Sequence, residues 1–152
     1  MSLDVYLEID EPSHEPERWA IFIRENGETR EITRAEWDKR NPGREPAMAK
    51  VGGKKPRTQV YTRNITHNLA IMATNAGLFQ VLWTPEEIGI SKAQDLVEPL
   101  RTGLETLASD RARFEKLNPK NGWGRYETLV AFVTDYLEAC EMYPHANVSV
   151  SR

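Results

Sequence analysis

Leu3, Val5, Leu7 and Ile9 alternate with Asp4, Tyr6 and Glu8, and this period of two constrains the fold more than any other feature of the chain. Successive side chains of a strand point to opposite faces, so one face of residues 3–9 must be buried and the other wetted. A slip of one residue would turn every apolar group outward, so the strand needs a partner in fixed register. Gln59-Val-Tyr-Thr-Arg63 and Asn147-Val-Ser-Val-Ser151 alternate in the same way. The closing stretch is therefore expected to return beside residues 3–9 or 59–63.

Between the first two of these stretches the pattern changes several times. Residues 10–18 carry two prolines and dense charge, which ends a strand and reads as a loop. Trp19-Ala-Ile-Phe-Ile-Arg24 and Glu28-Thr-Arg-Glu-Ile32 flank Asn26-Gly27, the dipeptide that tolerates a tight hairpin turn. Thr33-Arg-Ala-Glu36 has capping-box spacing and predicts a short helix carrying Trp37. Residues 41–58 hold three prolines, three glycines and five basic residues, which predicts a mobile basic loop. Its charges are not interleaved with aromatic residues, so a solvated linker is favoured over a flap on an anionic ligand.

Helical spacing dominates from residue 65 onward. Ile65, Leu69, Met72, Ala73 and Ala76 share one face, with Gly77 as a stop. Leu78–Trp83 reads as a short helix ended by Thr84-Pro85. Ser91-Lys-Ala-Gln94 is a second capping box, leading into a stripe of Leu96, Leu100, Gly103, Leu104 and Leu107 in which Pro99 marks a kink or the true first turn. Asp110 can cap a helix running to Leu117. Residues 125–141 form the most regular helix, with Tyr126, Leu129, Val130, Val133, Tyr136, Leu137 and Cys140 on one face. The order predicts an α+β fold: a small, mainly antiparallel sheet with three to four helices on one face, and a hairpin and loop inserted at residues 10–58.

Composition removes several functional classes. The 152 residues suit one domain, and a net charge of −3 offers no global attraction to nucleic acid or anionic membranes. The longest apolar run, Ala70–Ala73, cannot span a bilayer, and the opening residues lack the basic and apolar regions of an export signal. A cytoplasmic setting is expected, and the single Cys140 reads as a buried small hydrophobe rather than a nucleophile. His14, His67 and His145 lack metal-ligand spacing, and no phosphate-loop or nucleophile-elbow pattern occurs, so neither metal nor cofactor is expected.

The candidate site is Asn64-Ile-Thr-His-Asn68, where four polar side chains crowd an expected helix start. Each alone is explained by capping. Together they can offer an anion free backbone amides, the partial positive charge of the helix end and the side chains of Asn64, Thr66, His67 and Asn68. Arg63 and Arg125 would add charge. Asn118-Pro-Lys-Asn-Gly-Trp-Gly124 is the expected opposite wall, where Trp123 can stack on a planar ring or plug the core beneath a turn. Glu86-Glu87 reads as first-turn dipole complementation after Pro85 rather than as an acid pair.

With those residues set out, the chain resembles a family of small, largely uncharacterised proteins of phages and prophage-bearing bacteria. The matching stretches are Met1–Leu7, Asn64–Leu69, Leu82–Ile90, Asn118–Glu127 and Val148–Arg152. The resemblance implies that residues 10–58 are an accessory insertion and is consistent with a role in host interaction or counter-defence; it implies no established activity. The expected function is binding of a partner, such as a host protein, or of a small anionic, nucleotide-like ligand at Asn64–Asn68. An enzyme using His67 as general acid or base on a phosphate- or amide-containing substrate is the first alternative. A purely structural or protein-binding module is the second.

Overall fold

The computed structural model describes residues 1–11, 16–53 and 57–152. The fold is α+β, with two three-stranded antiparallel sheets. The chain divides into two compact units, Met1–Asp10 with Arg57–Arg152, and Glu11–Pro56.

The larger unit is built on β1 (Ser2–Asp10), which lies between β5 (Arg57–Thr66) and β6 (Asn147–Ser151). Both pairings are antiparallel, with Leu3 opposite Ile65, Val5 opposite Arg63 and Val150, and Leu7 opposite Tyr61 and Val148. The expected return of the closing stretch is thus to β1. Leu3, Val5 and Leu7 are fully buried, whereas Ser2, Asp4, Tyr6 and Glu8 on the other face remain half-exposed. This is the alternation of an antiparallel sheet with one wetted face.

The buried face is covered by α2 (Ala70–Asn75), α3 (Phe79–Trp83), α4 (Gln94–Ser109), α5 (Arg111–Glu115) and α6 (Tyr126–Met142). Leu69, Met72, Leu82, Leu96, Leu100, Leu107, Phe114, Leu129, Phe132 and Val133 join the strand residues in one core cluster. Gly103 on α4 makes room for Leu78, since a Cβ there would lie 2.5 Å from Leu78 Cγ. Asp110 caps α5 by accepting from the Arg113 amide at 3.3 Å. Of the two placements expected for Pro99, the first turn is ruled out: it lies inside α4, five residues after its start. One helix detail differs from expectation. The Ser91–Gln94 capping box does not form: Ser91 O accepts from Val148 N at 2.9 Å and Lys92 bridges to Asn147, so strand-like pairing takes the residues that capping would use.

The smaller unit contains β2 (Arg18–Glu25), β3 (Glu28–Ile32), α1 (Arg34–Arg40) and β4 (Met48–Val51), in sheet order β3-β2-β4. Asn26 and Gly27 both take positive φ, 52° and 80°, as a tight hairpin turn requires. Thr33 accepts from the Glu36 amide at 3.1 Å; the Glu36 carboxylate meets Arg30 and Arg40. The mobile loop expected over residues 41–58 is corrected by β4, whose Met48–Val51 segment pairs with Arg18–Ile21. A four-residue strand is too short to show a period. Residues 54–56 of that expected loop, and His14 in the 10–18 stretch, lie outside the described residues.

Candidate functional site

The expected helix start is displaced. Strand β5 continues through Asn64 and Ile65 to Thr66, because Ile65 buries itself opposite Leu3 and Asn64 pairs across to Asp4. A 3-10 turn follows at His67–Leu69, capped by Thr66, whose hydroxyl accepts from the Asn68 amide at 3.3 Å. α2 then runs for only six residues, too few aligned peptide dipoles for the end charge on which the anion argument relied.

The seven candidate residues separate into distinct surroundings. Asn64 donates from Nδ2 to Asp4 Oδ1 at 2.8 Å on the wetted face of the sheet. Arg63 lies on the opposite face and meets Asp135 and the Ala131 carbonyl of α6. Asn68 is exposed. The 118–124 loop does come to this region: a Cβ at Gly124 would sit 3.0 Å from both Leu69 and Thr66 side chains. Trp123 points to solvent at 70% exposure, so it does not plug the core, and its amide donates to Asn121 Oδ1 at 3.0 Å. Arg125 is exposed, and its amide donates to Thr128 Oγ1 at 3.1 Å.

His67 faces a different tryptophan. Its ring meets Trp83 edge-on, with centroids 6.0 Å apart and planes at 80°, and Trp83 stacks in turn on Phe79 at 5.5 Å and 8°. Trp83 is 2% exposed. His67 Nε2, Trp83 Nε1 and the hydroxyl of Thr84 are all buried with no hydrogen-bond partner among the described residues. Leaving such a group unpaired costs roughly 1–3 kcal/mol. Here the three belong to a ring pair and the residue that follows it. Arg152 fixes this corner from outside, donating to the Trp83 carbonyl and pairing with Glu86 at 2.6 Å. That contact holds the Glu86 carboxyl below its usual range. Phe79 also borders a cavity of about 250 Å3 shared with Thr74, Gly77 and Gln80.

A second group of unpaired hydroxyls lies between β5 and α6. Tyr61 stacks on Tyr136 with centroids 5.7 Å apart and planes within 9°, and both phenol oxygens are buried without a partner among the described residues. Burial, and then the nearby Asp135 carboxylate, pushes Tyr61 up to about 12. Burial also raises Tyr136 well above its ordinary value and takes the Cys140 thiol up to about 12. A thiol held there stays protonated near neutral pH and is no nucleophile.

Among the described residues no three His, Cys, Asp or Glu side chains converge as metal ligands, and no helix is long and apolar enough to cross a membrane. The smaller unit has its own concavity, about 420 Å3, lined by Trp19, Ile21, Ile32 and Met48 among others. Comparisons with protein-family models, curated proteins and solved structures returned no match. Sequence reasoning missed Trp83 and Thr84 as site residues. Trp83 is a core residue at the end of a short apolar helix, and only its unpaired indole nitrogen sets it apart there.

Proposed function

We propose that the chain is a non-enzymatic binding protein that takes a small ligand with carbonyl or anionic oxygens beside His67 and Trp83. The observation that carries this reading is the set of unpaired groups, His67 Nε2, Trp83 Nε1 and Thr84 Oγ1. An indole N–H donates only, and imidazole and hydroxyl groups can also donate, so the set suits oxygen acceptors such as phosphate or carboxylate. Trp83 offers no open face, being stacked on Phe79 and only 2% exposed. Recognition is therefore by its edge, and uptake requires half-buried His67 or Phe79 to move. The motif resemblance supports a phage or prophage setting, in which the ligand or partner belongs to the host cell and the protein works in the cytoplasm.

Thermal-shift screening against nucleotides and phosphorylated metabolites tests the proposal. A ligand present at a hundred times its Kd stabilises the native state by about 2.7 kcal/mol, which is roughly 5–10 °C for a chain of this size. The shift is expected to disappear in His67→Gln and Trp83→Phe. An equal shift in both variants, or no shift with any compound, removes the ligand reading. Turnover of a bound compound that is lost in His67→Gln would replace it with the enzymatic one.

A further inference from the structure

Strand β6 has one edge on β1 and another that is only partly covered. In an antiparallel strand, alternate residues turn both backbone N–H and C=O to the same side. Val148 N donates to Ser91 O at 2.9 Å, away from β1, so Val150 turns its N–H and C=O the same way. Ser149 and Ser151 therefore supply the bonds to Tyr6 and Asp4. On the outer edge, Ser91 and Lys92 pair with residues up to Val148 and then leave. Among the described residues nothing bonds the outward backbone groups of Val150.

These groups face a concavity of about 230 Å3 bounded by Val148, Ser149, Val150, Pro85, Glu86 and Ile90, with Arg152 at its end. The side chain of Val150 shares the core-side face with Val5. A residue placed opposite Val150 would therefore project its side chain towards that face, where Pro85 is buried and Ile90 half-buried. Its neighbours would project with Ser149 and Ser151 onto the polar face.

We propose that this groove receives an extended peptide segment of another polypeptide, added as a fourth strand to β6. The unpaired N–H and C=O of Val150 favour this occupant, because a backbone in strand geometry presents the matching acceptor and donor at that spacing. The segment carries an apolar residue opposite Val150 and polar residues on either side. Since Ser91 and Lys92 occupy the edge up to Val148, the added strand is short and pockets, more than length, set its selectivity. The proposal does not depend on His67.

The test uses the full chain and a randomised octapeptide library displayed on phage, followed by the enriched sequence as a synthetic peptide. Proline at an edge position whose N–H bonds nothing is tolerated by the sheet, so Val150→Pro deletes the outward donor while Val150→Ala keeps it. Enrichment of alternating apolar and polar sequences is expected, with affinity at least tenfold weaker for V150P than for V150A. The Val150 amide should exchange with solvent faster than those of Ser149 and Ser151 in the free chain, and become protected when peptide is added. This exchange measurement on the unaltered chain decides the matter should V150P fail to fold. A library that yields no binder, equal binding by both variants, or an unprotected Val150 amide in the peptide complex overturns the proposal. So does a concentration-dependent dimer that V150P abolishes, which would assign the edge to a second copy of the chain.

Discussion

Replacing Thr84 by Val exchanges a buried hydroxyl for a methyl group of nearly the same shape. Thr84 Oγ1 has no hydrogen-bond partner among the described residues, so the wild-type side chain carries its desolvation cost without compensation, roughly 1–3 kcal/mol on protein scales. The methyl group recovers that cost and adds at most about 0.8 kcal/mol of apolar burial. The backbone at Thr84 has φ −135° and ψ 51°, an extended φ that a β-branched residue accepts. The bond from Glu87 N to Thr84 O at 3.0 Å does not involve the side chain. Thr84→Val should therefore stabilise the chain by about 2 kcal/mol, raising Tm by roughly 6 °C. Urea denaturation at matched m-values and differential scanning calorimetry both measure it. The same variant should show a smaller thermal shift with any ligand bound beside His67, because stability and function compete for one hydroxyl. A lower Tm for Thr84→Val would mean that the hydroxyl is already satisfied, and the reasoning that groups it with His67 and Trp83 would fail.

Gly103→Ala is expected to destabilise. Alanine gains about 1 kcal/mol of helix propensity, but its Cβ would lie 2.5 Å from Leu78 Cγ and 2.8 Å from Cδ1. Leu78 is held by bonds to Ala73 and Leu82, so overpacking of up to about 3 kcal/mol leaves a net loss near 2 kcal/mol in urea titration. Tyr126→Phe removes the buried bond from the phenol to Leu107 O at 2.8 Å and should cost about 1–2 kcal/mol by the same measurement. At alkaline pH, Cys140, Tyr61 and Tyr136 all have folded-state values raised above their unfolded ones. Their contribution is fully present below about pH 9 and is lost as pH rises towards 12, each group steepening the decline by about 1.4 kcal/mol per pH unit. Cys140→Ser, read against wild type in denaturant between pH 8 and 11, should remove the earliest part of that decline. Cys140 should also resist thiol reagents in the native chain and react on unfolding.

How far the chain could be read from its sequence depended on whether local and distant contacts agreed. The alternation at Leu3–Ile9 placed β1 with one buried face, because Leu3, Val5 and Leu7 need a single apolar side whatever covers it. The stripe from Tyr126 to Cys140 gave α6 within a residue at either end, for the same reason. Local signals failed where a distant partner competed for the same backbone. Met48–Val51 sits among glycines and prolines and becomes a strand only because β2 has a free edge. Ser91 has the spacing of a helix cap, yet its carbonyl is used by Val148.

The Asn64–Asn68 motif illustrates that competition in the candidate site itself. Ile65 fits either a helical stripe with Leu69 or a strand facing Leu3, and sequence spacing does not decide between them. Strand pairing wins because it buries Ile65 and also lets Asn64 bond Asp4 across the sheet, two contacts made by one backbone conformation. The helix then starts later and is short, which weakens the charge at its end. His67 is turned from the expected Trp123 towards Trp83, and Trp123 is left exposed. The motif's polar side chains thus divide: Asn64 fixes the strand, Thr66 caps the turn, His67 meets the indole and Asn68 faces solvent. Only the contact with the indole leaves a buried polar atom of the motif, His67 Nε2, without a partner among the described residues, and that is why the binding proposal rests on His67 rather than on the motif as a whole.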